Sequence, residues 1–296
     1  MLEALMHYDL PLWRPPSEAK NLIIQATIGC SFNRCSFCSM YRDKTFGARP
    51  LEAVFADIDK AARIWPEARR VFLADGDAMV LPTDHLCRIL DKLSERLPEL
   101  TRVSSYALPA NLIKKSIGEL ERLKDHKLSL LYYGLESGSR DILKRITKGA
   151  SPKAITEGIG KARSAAMKVS TTMILGLGGT NRWRDHIDST AELVNKVLPN
   201  YLSTLQLGLE ASVREEFFRK FGESFTFQND SGILAEQERL IAQLEPATPV
   251  IFRSNHASNA LPLAGTLPKD KAKLLELIRG ARAGLVPLRP AWARAY

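Results

Sequence analysis

A regular alternation of strand-like and helix-like segments constrains the fold of this chain more than any other feature of its sequence. Short apolar runs, such as residues 71–74 and 128–133, are each followed by a longer stretch with helical signals. Pro50 and Pro66, for example, bracket a helix expected at 51–65, because proline begins helices readily and cannot continue them. This alternation is typical of parallel βα units.

Six such units can be counted up to about residue 210. Strands are expected at 22–27, 71–74, 102–106, 128–133, 169–175 and 201–209. Helices are expected at 51–65, 84–97, 112–124, 151–167 and 183–197, with a further one opened by Ser139. The pattern then changes, and we expect helical structure over 211–245, a short strand at 249–252 and a terminal helix at 269–283.

Three of the four cysteines fall within nine residues, in the sequence Cys30-Ser-Phe-Asn-Arg-Cys35-Ser-Phe-Cys38. Cysteine thiolates are the usual ligands of iron–sulfur clusters, and closely spaced cysteines on one loop can bind three irons of a cubane cluster. The fourth iron then lacks a cysteine ligand and can bind a small molecule. The spacing therefore predicts a [4Fe-4S] cluster held by Cys30, Cys35 and Cys38, with chemistry at the open iron.

Clustered cysteines have two other common uses, in zinc sites and in disulfides. A structural zinc site usually has four ligands, with a second pair of Cys or His downstream. The fourth cysteine, Cys87, stands alone among apolar residues of a predicted helix, and the five histidines show no paired spacing. Disulfide frameworks are typical of small, cysteine-dense chains, which does not describe 296 residues with four cysteines. A cluster is therefore favoured over both.

The formal net charge of +9 suggests nucleic acid as a partner, because clustered Lys and Arg neutralise phosphates. The basic residues are nevertheless interspersed with acids, so a solvated surface is favoured and nucleic acid is kept as the alternative. The start of the chain has no basic segment followed by an apolar run, and no stretch of about eighteen apolar residues occurs. We expect a cytoplasmic protein with no membrane segment.

The cysteine loop resembles the signature of the radical SAM enzymes, Cys-x3-Cys-x-aromatic-Cys, which follows the first strand of their barrel. Cys35-Ser36-Phe37-Cys38 fits the second half, and Phe37 takes the place of the aromatic residue beside S-adenosylmethionine. The first gap here has four residues instead of three. The apolar run at 22–27 suits the preceding strand. The resemblance implies a [4Fe-4S] cluster and S-adenosylmethionine as cofactors.

The resemblance also implies the fold class. Six βα units match the open barrel of this family, so we expect an α/β fold: a partial (β/α)6 TIM-like barrel with a smaller, α-rich C-terminal extension. Residues 1–20 would form an N-terminal extension and 21–210 the core barrel. Residues 211–296 would form an extension that covers the barrel mouth and contributes to the substrate site.

Functional residues of such barrels lie where the strands end. The second strand ends in Asp75-Gly76-Asp77, which replaces the family's Gly-Gly-Glu stretch that meets the amino group of the cofactor. Two carboxylates can accept hydrogen bonds from an ammonium, and Gly76 permits close approach of the backbone. The alternative is a turn with solvated acids.

The fourth strand ends in Gly134-Leu-Glu136-Ser137-Gly, which resembles a stretch of the methylthiotransferases, the Elongator catalytic subunit and the anaerobic coproporphyrinogen-type enzymes. The resemblance implies that Glu136 and Ser137 contact the ribose or methionine part of the cofactor. Arg140 and Arg145 follow, and either could meet the methionine carboxylate. Solvated surface arginines are the alternative.

Other strand ends complete the expected cofactor site. The run Gly176-Leu177-Gly178-Gly179 resembles the family's adenine-binding glycine motif. After the sixth strand, Gln206 and its neighbours can offer backbone groups to adenine. The third strand contributes Ser104 and Tyr106 as candidates for cofactor or substrate contact, with barrel packing as the alternative.

A polar cluster at 253–259 follows the strand expected at 249–252. Asn255 and His256, together with Tyr106, are candidate substrate-facing or proton-transferring groups. Ser and Asn also form turns and caps, which is the alternative for this cluster.

The resemblance implies an oxygen-sensitive enzyme that reductively cleaves S-adenosylmethionine to a 5′-deoxyadenosyl radical, which abstracts hydrogen from its substrate. A reductant such as flavodoxin or ferredoxin would supply the electron. With only Cys87 outside the loop, no cysteine-rich auxiliary cluster is expected, which favours a small-metabolite substrate. The alternatives are a haem or cluster carrier of the coproporphyrinogen-oxidase-like branch and an RNA-modifying radical SAM enzyme.

Overall fold

Apolar residues at the start of the core form strand β1 (Leu22–Gln25), in which Leu22 and Ile24 are buried. It pairs in parallel with β4 (Arg70–Ala74). The computed structural model describes Met6 and residues 8–294. The first five residues and residue 7 of the expected N-terminal extension therefore lie outside the described residues. The strands are β1 Leu22–Gln25, β2 Thr27–Ile28, β3 Gly47–Ala48, β4 Arg70–Ala74, β5 Arg102–Ala107, β6 Leu128–Glu136, β7 Lys168–Leu175, β8 Tyr201–Gln206, β9 Val250–Arg253 and β10 Ala264–Leu267.

The helices occupy the segments between most of these strands, as the alternation predicted. Their bounds are α1 Leu51–Ile64, α2 Thr83–Arg96, α3 Pro109–Lys114, α4 Ile117–Asp125, α5 Arg140–Arg145, α6 Pro152–Ser164, α7 Gly179–Val197, α8 Ala211–Phe221, α9 Asp230–Gln243 and α10 Lys271–Arg282. Eight of the strands share one mostly parallel sheet, while β2 and β3 form a separate antiparallel pair. The chain divides into two compact units.

The first unit consists of residues up to 33, 40–133 and 157–169. Its strand order is β1-β4-β5-β6, and each of the three pairings is parallel. Its helix α2 presents Leu86, Ile89 and Leu93 to the core on one face, which is the spacing of an amphipathic helix. Cys87 is buried in the same helix and 2% exposed, as predicted for a core thiol.

The N-terminal segment is held to the first unit by both polar and apolar contacts. The Tyr8 hydroxyl donates to the carbonyl of Ile23 at 3.0 Å, and Tyr8 packs near Phe72. The backbone N–H of Asp9 donates to Gln25 Oε1 at 2.9 Å, and Gln25 Nε2 donates back to the Asp9 carbonyl at 3.0 Å. Residues 8–9 are therefore tied to β1 and do not form a free tail.

One predicted helix of the first unit is wrong. The helix expected at 112–124 is two helices, α3 and α4, separated by Lys115 and Ser116. Ser116 begins α4 with a capping box, because its hydroxyl accepts from Glu119 N–H while the Glu119 carboxylate accepts from Ser116 N–H. The ammonium of Lys115 is turned inward and donates to the carbonyl of Leu81 at 2.8 Å.

The second unit consists of residues 34–39, 134–156 and those from 170 onward. β7, β8 and β9 are parallel, and β10 pairs with β9 in antiparallel register. The sequence did not predict β10. The segment expected to be helical over 211–245 is also two helices, α8 and α9, with Gly222 in a left-handed conformation after α8.

Boundaries near the strand ends differ from expectation in four places. The strand expected at 22–27 ends at Gln25, and Thr27 belongs to β2, which pairs with β3. β6 continues through Glu136, so the expected exit sequence is itself part of the strand. α7 begins at Gly179, four residues before the predicted start. β8 ends at Gln206 rather than at residue 209. The predicted division of the chain at residues 20 and 210 stays a prediction.

Candidate functional site

The carboxylate of Asp75, in the first unit, lies directly after β4 and is completely buried. Its Oδ2 accepts from Gly29 N–H at 3.1 Å and from Lys44 Nζ at 2.9 Å. Gly29 immediately precedes Cys30 and has φ +70°, a conformation that glycine adopts without strain. The hydrogen bond from Gly29 thus connects the start of the cysteine loop to the end of β4.

Asp77 is the second carboxylate at this strand end. Its Oδ2 accepts from the hydroxyl of Ser31 and from Asn111 Nδ2 at 3.4 Å. Its other oxygen, Oδ1, is buried without a hydrogen-bond partner among the described residues. Burial raises the pKa of Asp77 to about 6 despite those hydrogen bonds. An unfilled buried acceptor of this kind fits a ligand that brings a hydrogen-bond donor.

Tyr41 and Lys44 also lie next to the end of β4, and sequence reasoning missed both. A Cβ on Gly76 would lie 2.6 Å from Cε2 of Tyr41, so only glycine leaves room for the ring. Burial, with the nearby Tyr106 and Asp75, raises the pKa of Tyr41 and keeps its phenol neutral. Both residues follow the cysteines by a few positions, and that proximity is the only signal the sequence offers.

Ser104 and Tyr106, on β5 in the first unit, have different surroundings. Ser104 is completely buried, and its hydroxyl donates to the Val71 carbonyl at 3.4 Å. The Tyr106 ring packs edge-on against Phe72, with the centroids 5.1 Å apart. Both residues therefore contribute to packing of the first unit, the alternative considered for them from the sequence.

Cys35, Phe37 and Cys38 belong to the second unit, where each is partly exposed. None of the four cysteines forms a disulfide. The loop is held by the N–H of Ser36, which donates to the Ile146 carbonyl at 2.9 Å, and by Cys38 N–H, which donates to the Cys35 carbonyl at 3.1 Å. No three His, Cys, Asp or Glu side chains among the described residues are arranged to hold a single metal ion.

Glu136 ends β6 with φ +61°, an uncommon conformation for a residue other than glycine. Its Oε1 lies 2.8 Å from Nζ of Lys148, and both side chains are nearly buried. Although burial alone would lower it, the negative charges of Glu136 and of the Cys35 and Cys38 thiolates raise the pKa of Lys148. Sequence reasoning missed Lys148, which pairs with one of these candidates, Glu136.

Ser137 is completely buried and points to His186 of α7, with Oγ and Nδ1 2.8 Å apart. The other ring nitrogen, Nε2, lies 2.8 Å from the Ile174 carbonyl, which can only accept, so Nε2 carries the proton. Nδ1 therefore accepts from Ser137. His186 thus connects the end of β6 to the end of β7, and burial lowers its pKa to about 4.

The two arginine candidates differ. Arg140 is exposed at the start of α5. Arg145 donates to Asp141 Oδ2 at 2.6 Å and to the carbonyl of Phe221, and it lies 3.6 Å from Glu223. Arg145 is therefore bound within the protein, while Arg140 presents a solvated guanidinium.

The glycine run lies between β7 and α7. Leu177 is completely buried, and Gly176 and Gly179 have φ +79° and +56°. Gly178 is the residue before the first turn of α7. Gln206 is the last residue of β8, and its backbone N–H donates to Ser258 Oγ at 3.2 Å.

The C-terminal polar cluster packs internally for the most part. His256 Nδ1 and Ser258 Oγ are 2.9 Å apart, and Asn259 Nδ2 donates to the Thr204 carbonyl at 2.7 Å. Burial, together with Arg289, lowers the pKa of His256. Asn255 is exposed.

Comparison with known proteins establishes the class. The model of the Radical SAM superfamily matches residues 24–194, more than half of the chain. The chain therefore belongs to the Radical SAM superfamily, whose members use a [4Fe-4S] cluster and S-adenosylmethionine. No helix of the described residues is long and apolar enough to cross a membrane.

Relatives within the superfamily are distant. A protein of Methanocaldococcus jannaschii named as a methylthiotransferase is 26% identical over 183 residues, which are 57% of this chain and 39% of that protein. The heme chaperone HemW of Bacillus subtilis is 24% identical over 164 residues, which are 55% and 42% of the two chains. The chain thus spans about two fifths of the length of both relatives.

The solved structure of coproporphyrinogen III oxidase (HemN) from Escherichia coli is similar with a TM-score of 0.58 at 16% identity. The match covers 75% of this chain and 52% of that one. This likeness shows the fold and confirms the predicted fold class, an α/β fold of the partial (β/α)6 barrel type.

Proposed function

We propose that this chain is a single-cluster radical enzyme acting on a small metabolite. The observation that carries the proposal is the cysteine loop after β1, inside the matched region at 24–194. Cys30, Cys35 and Cys38 would ligate the cluster. When bound there, S-adenosylmethionine supplies a carbon radical that can remove hydrogen from an unactivated position.

The chain's own residues would bind and orient the cofactor. Asp75 and Asp77 suit its ammonium, and the support is the unpartnered, buried Oδ1 of Asp77. Phe37 and Ser104 are proposed as further cofactor contacts.

The other proposed cofactor contacts lie in the second unit. Glu136 and Ser137 suit the ribose or methionine part, and backbone groups of Gly176, Leu177, Gly178 and Gln206 suit the adenine. Of the two arginine candidates for the methionine carboxylate, exposed Arg140 keeps its guanidinium available, whereas Arg145 already binds Asp141 and a carbonyl.

A small metabolite is favoured as substrate because Cys87, the fourth cysteine, is buried in α2 and cannot contribute to a second cluster. Tyr106, Asn255 and His256 are proposed to face that substrate. A low-potential reductant such as flavodoxin or ferredoxin would deliver the electron, in a cytoplasmic setting where thiols stay reduced.

The second candidate function is haem binding and delivery, which the similarity to the heme chaperone HemW favours. One experiment separates the two. Anaerobically reconstituted protein, reduced with dithionite, is incubated with S-adenosylmethionine, and 5′-deoxyadenosine is quantified. Its formation by the native protein, with none from Cys35→Ala, supports the enzyme. No product, together with stoichiometric haem binding, would reject the enzyme in favour of the carrier.

A further inference from the structure

We propose that Glu236, in the C-terminal part of the chain, is a positioning residue that holds the glycine run 176–179 in its conformation. Insofar as that run receives the adenosine of S-adenosylmethionine, this inference rests on the proposed function. Glu236 would then set cofactor affinity without itself touching the reacting atoms.

The first support is a direct hydrogen bond. Glu236 lies on α9 and is completely buried. Its Oε2 accepts from Gly176 N–H at 2.6 Å, and its Oε1 accepts from Gln228 Nε2 at 3.3 Å. The same Gln228 nitrogen lies 3.4 Å from the Gly179 carbonyl. One carboxylate and one amide thus hold both ends of the run.

The second support is the fit of the glycines against the C-terminal part. A Cβ on Gly176 would lie 3.1 Å from Cδ1 of Ile233, and one on Gly179 would lie 2.9 Å from the Thr226 carbonyl. The N–H of Thr180 also donates to that carbonyl, at 2.9 Å. Glycine at 176 and 179 therefore suits both the positive φ of these positions and their close packing against residues 226–236, independently of any ligand.

The third support is the charge environment. Gly176 and Gln228 are uncharged donors, and burial raises the pKa of Glu236 to about 7. Several charged groups near α9 form ion pairs of their own. These pairs include Arg182 with Glu223, Arg239 with Asp188, Glu238 with Arg279 and Arg282, Asp230 with Arg294, and Lys271 with Glu245, while His186 is buried and its pKa is lowered.

This environment predicts that the affinity for S-adenosylmethionine depends on pH. The ionised carboxylate accepts a stronger hydrogen bond from Gly176 N–H than the protonated acid does. S-adenosylmethionine also carries a net positive charge, since its sulfonium and ammonium outweigh its carboxylate. Both effects favour the ionised form, so cofactor binding should tighten as the pH rises through 7.

The test compares Glu236→Gln with Glu238→Gln, which removes a carboxylate from the same helix without contact to the run. Amide hydrogen exchange at 174–180 is measured first on protein without S-adenosylmethionine, and we expect faster exchange in Glu236→Gln only. Equilibrium dialysis of the reconstituted proteins with S-adenosylmethionine follows between pH 6 and 8.5. Loss of a hydrogen bond to a charged group predicts roughly tenfold weaker binding for Glu236→Gln at pH 8, with a smaller rise of affinity between pH 6 and 8.5 than in the native protein.

The results separate the inference from the proposed function. Unchanged exchange at 174–180 in Glu236→Gln, or a pH profile parallel to that of the native protein, overturns the role of Glu236. If exchange rises in Glu236→Gln but neither protein binds S-adenosylmethionine, the role in holding the run stands and the proposed function fails. Circular dichroism confirms that the variants are folded, which the matched shape of Gln favours.

Discussion

The ammonium of Lys148 lies 2.8 Å from Oε1 of Glu136, and neither residue is more than 8% exposed. Gly134, two residues before Glu136, makes room for the pair, because a Cβ there would lie 2.0 Å from Glu136 Oε1 and 2.8 Å from Lys148 Nζ. The glycine, the carboxylate and the lysine therefore depend on one another.

Lys148→Met should destabilise the protein strongly, because it leaves the Glu136 carboxylate buried without a cation. Removing one partner of a buried pair costs about 3–5 kcal/mol, which urea unfolding of the cluster-free protein can measure. Lys144→Met, on the exposed side of α5, is the matched control and should change little. The double variant Glu136→Gln/Lys148→Met should recover part of the loss. A loss for Lys148→Met no larger than that of the control would contradict a buried charge pair.

Cys35→Ala should abolish the brown absorbance of the reconstituted cluster, because two cysteines cannot hold a cubane stably. Cys87→Ala is the control, since its buried thiol lies in α2 and serves packing only. Iron content and visible spectra after anaerobic reconstitution provide the measurement. Equal iron in both variants would disprove the assignment of Cys35 as a ligand.

Gly76→Ala should destabilise the first unit, because the new methyl group would lie 2.6 Å from the Tyr41 ring. Overpacking of this kind costs about 1–3 kcal/mol. Gly160→Ala, in α6, meets nothing within 4 Å and should instead stabilise the helix by about 0.5–1 kcal/mol. Thermal unfolding of both variants decides. We expect the Tm to fall in Gly76→Ala and to rise in Gly160→Ala. An unchanged Tm in Gly76→Ala would mean that Tyr41 is not packed against Gly76.

His186 should remain neutral, with its proton on Nε2, throughout pH 5–8, because burial lowers its pKa to about 4. A lowered pKa means that the unfolded chain binds a proton that the folded chain does not. The free energy of unfolding should therefore decrease as the pH falls from 6.5 towards 4. Nitrogen-15 NMR of labelled histidine measures the tautomer, and His186→Gln assigns the signal. A chemical shift that moves between pH 5.5 and 7 would refute the buried, neutral ring.

The parts of the fold that depend on periodicity were predictable from the sequence. Apolar runs gave β1 and β4–β8 nearly in place, because burial of a parallel strand requires them. The sequence contains a signal for the break at Lys115 and Ser116, the Ser-x-x-Glu capping box of Ser116 and Glu119. The amphipathic pattern continues on both sides of it and favoured a single helix instead. β10 has only four residues, one of them Gly265, so its pairing with β9 carries no local signal.

The candidate site was predictable only where its residues follow one another in sequence. The cysteine loop and the run at 176–179 belong to that class. Lys148 lies twelve positions from Glu136, Glu236 lies sixty from Gly176, and both contacts arise only when the strands and helices pack. The left-handed backbone of Glu136 likewise depends on neighbours that local propensity does not encode.

The pairing of β8, β9 and β10 limits how this protein can be dissected. A fragment that ended with the family-matched region, at residue 194, would lose β8 and leave β7 with an unpaired edge. One that ended after β8 would leave β8 without β9. Unpaired N–H and C=O groups along a strand promote aggregation between molecules. Expression trials of the catalytic region should therefore retain the chain through β10.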